Sequence, residues 1–186
     1  MCAHKFADLS EYGYGVSLLN DCKYGYDIHD SVIRLTLIKC GNYPNPDADK
    51  CRHEFTYSLF PHSGDFREAG TVKLAYLLNS PLEAKKIESQ NGTLPEEYSL
   101  LSIDSENVIC ETVKNAEDGD GVIVRLYEVE NARTKVTLHC AEAIASAEET
   151  DLLENPIEDA LDVKENEIEL TIKPYEIRTI RIRTAK

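Results

Sequence analysis

Near the end of this chain, Ile168, Leu170 and Ile172 alternate with Glu169, Thr171 and Lys173, and Ile180 and Ile182 alternate with Arg181 and Arg183. Successive side chains of a strand point to opposite faces, so a period of two buries one face and wets the other. Val136 and Leu138 repeat the pattern against Lys135, Thr137 and His139, and Val122 to Val129 is a further strand-like run. Ser99 to Ile103 and Asn107 to Val113 read as a pair before it. Turn-forming stretches fall at hairpin positions: Asp118-Gly119-Asp120-Gly121, Asn131-Ala132-Arg133 and Lys164-Glu165-Asn166. From Ser99 onward the pattern predicts an antiparallel β-sandwich with the five alternating residues Ile168, Leu170, Ile172, Ile180 and Ile182 in its core.

The first half predicts long strands over Tyr14–Leu19, Tyr26–Lys39 and Glu54–Phe60. Asn20-Asp21-Cys22-Lys23-Tyr24-Gly25 then lies between two strand-like runs. It suits a hairpin with a polar tip and equally a loop that reaches toward a ligand. Val72, Ala75 and Tyr76 recur at helical spacing within Asp65–Leu78, and Pro81 ends that run. Leu82–Pro95 reads as a linker, and its Asn91-Gly92-Thr93 sequon as a turn. The expected fold class is mainly all-β, an antiparallel β-sandwich of about ten strands with a single linking helix. It divides into a β-sheet region over 1–66, a helix and linker over 67–97, and the sandwich over 98–186.

Charge narrows the partners. Lys and Arg total 20 against 34 Asp and Glu, a net charge of −14. Such a surface repels phosphate backbones and anionic lipid, which disfavours nucleic acid and membrane as partners. No apolar run approaches the roughly 20 residues needed to span a bilayer. Met1-Cys2-Ala3-His4-Lys5 lacks the regions of a signal peptide. The six cysteines contain no C-x-x-C pair and read as reduced thiols of a cytoplasmic protein.

Motifs for chemistry are scarce. No G-x-S-x-G, H-E-x-x-H, phosphate loop or dinucleotide fingerprint occurs. Asp118-x-Asp120 begins like a calcium loop, but Val122 stands where a third oxygen ligand is needed, so a hairpin tip fits better. Cys40, Cys51 and His53 offer metal ligands at a spacing that matches no common zinc motif, and His53-Glu54 lacks its second histidine. Asp47 and Asp49 read as a solvated loop rather than a glycosidase carboxylate pair. The remaining acids are expected in turns and on exposed strand faces. Judged by motifs alone, this is a β-rich binding or structural module.

Longer stretches add a resemblance. "HKFADLSEYGYGVSLLNDCKYGYDIHDSVIRLTLIK" (4–39), "RHEFTYSLFPHSGDFREAG" (52–70), "ETDLLENPIEDALDV" (149–163) and "IELTIKPYEIRTIRI" (168–182) resemble the C-terminal part of α-mannosidases of glycoside hydrolase family 38, in the branch of cytosolic, vacuolar and bacterial enzymes. That family joins an N-terminal catalytic domain, a helical bundle and β-domains, and cleaves α-mannosides with retention, using an aspartate nucleophile and a zinc ion. The resemblance implies a mannosidase parent whose central β-domain continues into residues 1–66. Zinc and the catalytic residues are expected in the parent's catalytic domain, with none in this segment. The implied partners are that catalytic domain and mannose-containing glycans. By resemblance the turn bearing Asn20, Asp21, Lys23 and Tyr24, with Lys39 at the end of the following strand, is the candidate rim of the sugar site. Family members often carry arginine near Lys39; lysine donates only as a point charge. A stand-alone carbohydrate-binding module, or a β-domain that only stiffens the parent, are the alternatives.

Overall fold

The computed structural model describes residues 1–89, 91–93 and 95–185, and all side chains among them except those of Glu158 and Asp159. Gln90 and Leu94 of the expected linker, and Lys186 of the expected sandwich, lie outside the described residues. Among the described residues the fold is all-β with a single helix, in two compact units, Met1–Glu88 and Ser89–Lys186.

The first unit centres on a three-stranded antiparallel sheet. Strands β1 (Phe6–Glu11) and β2 (Tyr14–Asn20) meet across Tyr12-Gly13, where Gly13 takes a φ of 84° that suits glycine. A short hairpin follows, β3 (Tyr26–His29) and β4 (Val32–Leu35), turning at Asp30 with a φ of 50°. Strand β5 (Tyr57–Ser63) then pairs with the free side of β2. Alternation along β1 and β2 gives the sheet two different faces. Ala7 and Leu18 face Tyr26, Ile28, Ile33 and Leu35 of the hairpin. Helix α1 (Thr71–Asn79) packs on β1 and β2 and buries Thr71 and Ala75.

Three expectations change here. Asn20–Gly25 is not a hairpin tip, because β2 pairs with β1 and β5 and not with β3. The run Tyr26–Lys39 is not one strand: Asp30 reverses the chain, and the strand ends at Leu35. The expected strand Glu54–Phe60 begins at Tyr57 and runs to Ser63. The helix also starts later than its periodicity suggests. The Asp65 carboxylate accepts the N–H groups of Arg67 (2.8 Å) and Glu68 (3.1 Å), which holds 65–68 in a turn ahead of the helix.

The second unit is a sandwich of nine strands among the described residues: β6 (Leu101–Ile103), β7 (Val108–Asn115), β8 (Val122–Glu128), β9 (Thr134–Cys140), β10 (Ile144–Thr150), β11 (Pro156–Ala160), β12 (Val163–Lys164), β13 (Glu167–Ile172) and β14 (Ile177–Thr184). One sheet runs β11-β10-β14-β8-β7 and the other β12-β13-β9-β6, antiparallel throughout. Val124, Leu126, Ile180 and Ile182 of the first sheet pack with Val136, Leu138, Ile168, Leu170 and Ile172 of the second. All five residues expected in the core are buried.

The turns at Asp118–Gly121 and Lys164–Asn166 join paired neighbours as read from sequence. Asn131-Ala132-Arg133 instead crosses between sheets, since β8 and β9 do not pair. The Glu128 carboxylate organises that crossing by accepting the N–H groups of Glu130 (2.7 Å), Asn131 (2.9 Å) and Tyr175 (2.9 Å) and the Asn107 amide (2.9 Å). β6 and β7, expected as a pair, lie in different sheets. Arg181, read as a wet-face residue, is buried. The Asp118 carboxylate (2.7 Å) and the Glu154 carbonyl (3.1 Å) come over it from two turns. Several acids expected at the surface are likewise buried, Glu128, Glu149 and Glu154 among them.

Candidate functional site

The turn after β2 is built by one side chain. Asn20 is 1 % exposed, and its amide oxygen accepts the N–H groups of Cys22 (3.1 Å) and Lys23 while its Nδ2 donates to the Tyr26 hydroxyl. Its carbonyl oxygen takes a 3.0 Å bond from Asn79 of α1. Asn20 therefore supports the turn from beneath and offers nothing to a ligand.

The residues above it are fixed in different ways. Asp21 Oδ2 accepts the Thr56 N–H at 2.9 Å, and the Thr56 carbonyl accepts the Asp21 N–H at 3.2 Å. That N–H of Thr56 is the main reason the Asp21 carboxyl is held below the usual carboxylate range. Lys23 places its ammonium 4.5 Å from the centre of the Phe55 ring. Tyr24, 53 % exposed, has its ring 4.9 Å from that of His4. Together these give an exposed carboxylate, an ammonium and an aromatic face on one short segment, a donor and acceptor set suited to hydroxyl-rich ligands. Lys39 is exposed on the connection 36–56, and no hydrogen bond among the described residues joins it to the turn. The structure thus brings Asn20, Asp21 and Lys23 together with Phe55 and Thr56, and the Thr36 N–H, three residues before Lys39, donates to the Gly25 carbonyl at 2.8 Å.

One constellation was not anticipated. On the helix-facing side of the sheet, Asp8 Oδ2 takes bonds from Ser17 Oγ (2.7 Å) and His62 Nε2 (2.8 Å), and Ser17 Oγ also lies 2.9 Å from Thr71 Oγ1. Serine, histidine and aspartate in contact suggest a nucleophile triad, but the geometry is different. Both oxygens meet the same nitrogen, Ser17 Oγ being 3.3 Å from Nε2, while Nδ1 is buried without a partner. A triad needs the acid on one ring nitrogen and the hydroxyl on the other. Ser17, His62 and Thr71 are buried and Asp8 is half-buried, and together they form a polar cluster that ties β1, β2, β5 and α1 together. The signal in the sequence is the alternation itself, which puts Asp8 and Ser17 on the face opposite Ala7 and Leu18.

The other candidate ligands are used structurally. Asp118 and Asp120 meet Arg181 and Arg183, each at 2.7 Å, and Asp47 meets Lys50 at 3.2 Å. Among the described residues no group of three or more His, Cys, Asp or Glu side chains could hold a metal ion, so the residues here do not fit the zinc of the resemblance. Among the described residues no helix is long and apolar enough to cross a membrane.

Fold and site define two antiparallel β-rich units, the second a sandwich. Residues 107–180 match the glycosyl hydrolases family 38 C-terminal beta sandwich domain, and residues 1–47 match the glycosyl hydrolases family 38 C-terminal domain. The chain belongs to glycosyl hydrolase family 38, as its C-terminal β-domain region. It is 38 % identical to alpha-mannosidase 2C1 of Homo sapiens over 182 residues, covering 96 % of this chain and 17 % of that protein. It is 36 % identical to alpha-mannosidase G of Dictyostelium discoideum over 184 residues, again 96 % and 17 %. The crystal structure of a glycosyl hydrolase family 38 protein from Enterococcus faecalis superposes with a TM-score of 0.77 at 23 % identity, covering 97 % of this chain and 22 % of that one. The chain thus spans about a sixth of the length of the curated relatives it matches.

Proposed function

We propose that this chain is the C-terminal β-domain portion of a cytoplasmic, retaining, zinc-dependent α-mannosidase. It supports the catalytic domain of the same parent chain, and its Asn20–Gly25 turn forms part of the rim of the mannose site. One observation carries the reading: proteins named alpha-mannosidase align with 96 % of this chain at 36–38 % identity. The cytoplasm suits six unpaired thiols, four of them exposed.

A rim contributes by orienting substrate beside the reacting groups. Asp21 is anchored by Thr56 and keeps its charge, so its second oxygen accepts a sugar hydroxyl without paying for side-chain ordering. Tyr24 offers a ring face to the apolar side of a pyranose, and Lys39 a single positive donor. A retaining glycosidase needs a nucleophile and an acid about 5 Å apart. The buried acids here are instead committed to Arg178, Lys114 and backbone N–H groups, so both catalytic carboxyls are assigned to the catalytic domain.

The test is hydrolysis of an aryl α-mannoside. The 186-residue chain alone gives no turnover, with or without zinc. In the full-length parent, Asp21→Ala and Lys39→Ala each lower kcat/KM about tenfold, the loss of one charge-assisted hydrogen bond. Turnover by the chain alone would overturn the reading. A reading frame that stops just upstream of Met1 would favour a carbohydrate-binding module without a catalytic partner.

A further inference from the structure

β1 and β2 share a face that the β3–β4 hairpin covers only in part. Ala7 and Leu18 pack against the hairpin, and Leu9 and Val16, the next residues of the same alternation, continue that face. Glu11 and Tyr14 form the last register pair of the two strands. Between this end of the sheet and the hairpin runs a groove of about 530 Å³. Leu9, Val16 and Ile33 are half-buried along it, and Glu11, Tyr14 and Asp30 are exposed at its edge.

The charge of this groove is one-sided. Glu11 comes from the end of β1 and Asp30 from the turn between β3 and β4, so two separate segments bring carboxylates to one place. Among the described residues no cation pairs with Glu11, and Asp30 meets only the exposed His29, at 3.0 Å. Two other grooves lack this combination. The one lined by β6 and β7 has no charged residue, and the one over β9 and β13 already holds Lys135 with Asp104 and Glu169. An apolar floor with a few convergent polar groups suits a small molecule.

We propose that this groove binds a small organic cation, an ammonium group on a compact apolar body. The body leaves water against Leu9, Val16 and Ile33. The ammonium, a donor only, gives charge-assisted hydrogen bonds to Glu11 and Asp30. The Tyr14 ring, 52 % exposed, offers its face to the same charge. An anion is repelled by both carboxylates and by a net charge of −14. A hydrated metal ion gains nothing from the apolar floor, and two carboxylates fall short of the ligand set that calcium takes. The proposal is independent of the mannosidase reading, and the groove lies at the opposite end of β2 from the candidate turn.

The probe is phenethylammonium, titrated into the 186-residue chain at constant ionic strength and followed by methyl NMR. The expected result is saturable shifts at Leu9, Val16 and Ile33, with the methyl groups of the sandwich unmoved. Phenethyl alcohol keeps the body without the charge, and methylammonium keeps the charge without the body; each binds about tenfold more weakly or worse. Glu11→Gln weakens phenethylammonium about tenfold, the loss of one charge-assisted hydrogen bond. Asp30→Asn does likewise, since asparagine tolerates the φ of 50° at that turn. Both positions are exposed, so the melting temperatures of the two variants stay close to that of the unsubstituted chain. Shifts that never saturate would overturn the proposal, as would equal binding of phenethyl alcohol or full affinity in both variants. Equal binding of methylammonium would overturn it too, reducing the groove to an acidic patch.

Discussion

The two units use the same antiparallel strands but close their interiors differently. In the sandwich, thirteen buried apolar residues form one continuous cluster drawn from both sheets. In the first unit the corresponding cluster is only Ala7, Leu18 and Tyr26, and the four buried polar residues Ser17, Asn20, His62 and Thr71 nearly match its five buried apolar residues, which add Leu19 and Ala75. An apolar core is non-directional and tolerates small shifts, whereas a hydrogen-bonded core depends on each partner. The sandwich is therefore the part of the chain that burial stabilises, and the first unit is the part that geometry stabilises. The exposed candidate turn grows from the second kind of core.

The largest effect that would break this contrast is a charge in the sandwich. Leu170 is 5 % exposed between Val136 and the opposite sheet, so Leu170→Asp strands a carboxylate without a partner. The cost is several kcal/mol, enough to unfold the unit. Loss of the cooperative thermal transition by circular dichroism is the expected result. A variant that melts like the parent chain would mean that the sandwich core is not closed around this residue.

A smaller effect tests the polar core of the first unit. A Cβ on Gly15 would stand 2.4 Å from His62 Cε1 and 2.7 Å from Ser10 Oγ. The His62 side chain is only 3 % exposed and its Nε2 is bound to Asp8, so the ring cannot step aside without losing that bond. Gly15→Ala should cost about 1–3 kcal/mol, as overpacking does. Gly92→Ala, where nothing lies within 4 Å, serves as the control and should change little. Equal melting temperatures for the two variants would remove the claim that His62 is locked.

The same contrast explains what the amino-acid sequence discloses. Alternation in β9, β13 and β14 placed Leu138, Ile168 and Ile180 in the core, because facing is a local property of a strand. It did not reveal that β6 pairs with β9 rather than β7, since alternation names a face and not a neighbour. Asn20 shows the limit for the site. Its residue type marks a turn, and only the fold shows that its amide is turned inward to Tyr26 while Asp21 and Tyr24 remain outside. Lys39 is grouped with the turn only by resemblance: the hairpin returns Thr36 to the Gly25 carbonyl, but no hydrogen bond among the described residues joins Lys39 itself to the turn.

Acid offers a third test, aimed at the buried carboxylates of the sandwich. Burial pushes the Glu128 carboxyl up, but N–H groups from Tyr175, Glu130 and Ala132 and the Asn107 amide outweigh it and leave the group below the usual range. The unfolded chain therefore takes up this proton at a higher pH than the folded one. The stabilisation is complete above the ordinary glutamate value of 4.5 and is lost as pH falls through the lower folded value. Lys114 and the Glu117 N–H hold Glu154 low in the same way, so the effects share a direction. The melting temperature should fall on acidification below that point, and Glu128→Gln should fall less steeply while starting lower. A parallel fall in both proteins would show that Glu128 does not carry the dependence.

The smallest expected effect bears most directly on the candidate site. Asp21 is exposed, and its bond to the Thr56 N–H joins two surface segments whose backbone is also joined by the reverse bond from Asp21 N–H. Asp21→Ala removes one of these links and leaves the other, while Asn20 continues to hold the turn from below. The cost to stability should be about 1 kcal/mol or less, the net value of an exposed hydrogen bond. Asn20→Ala should cost more, about 1–3 kcal/mol, because it leaves the Tyr26 hydroxyl and two N–H groups short of their partner. The order of the two variants in thermal unfolding is the discriminating result. If Asp21→Ala proves the more damaging, Asp21 is a structural clasp and its loss in the proposed parent mannosidase would report on folding. If Asn20→Ala is the more damaging, a tenfold loss of kcat/KM in Asp21→Ala with an almost unchanged melting temperature separates substrate orientation from scaffold.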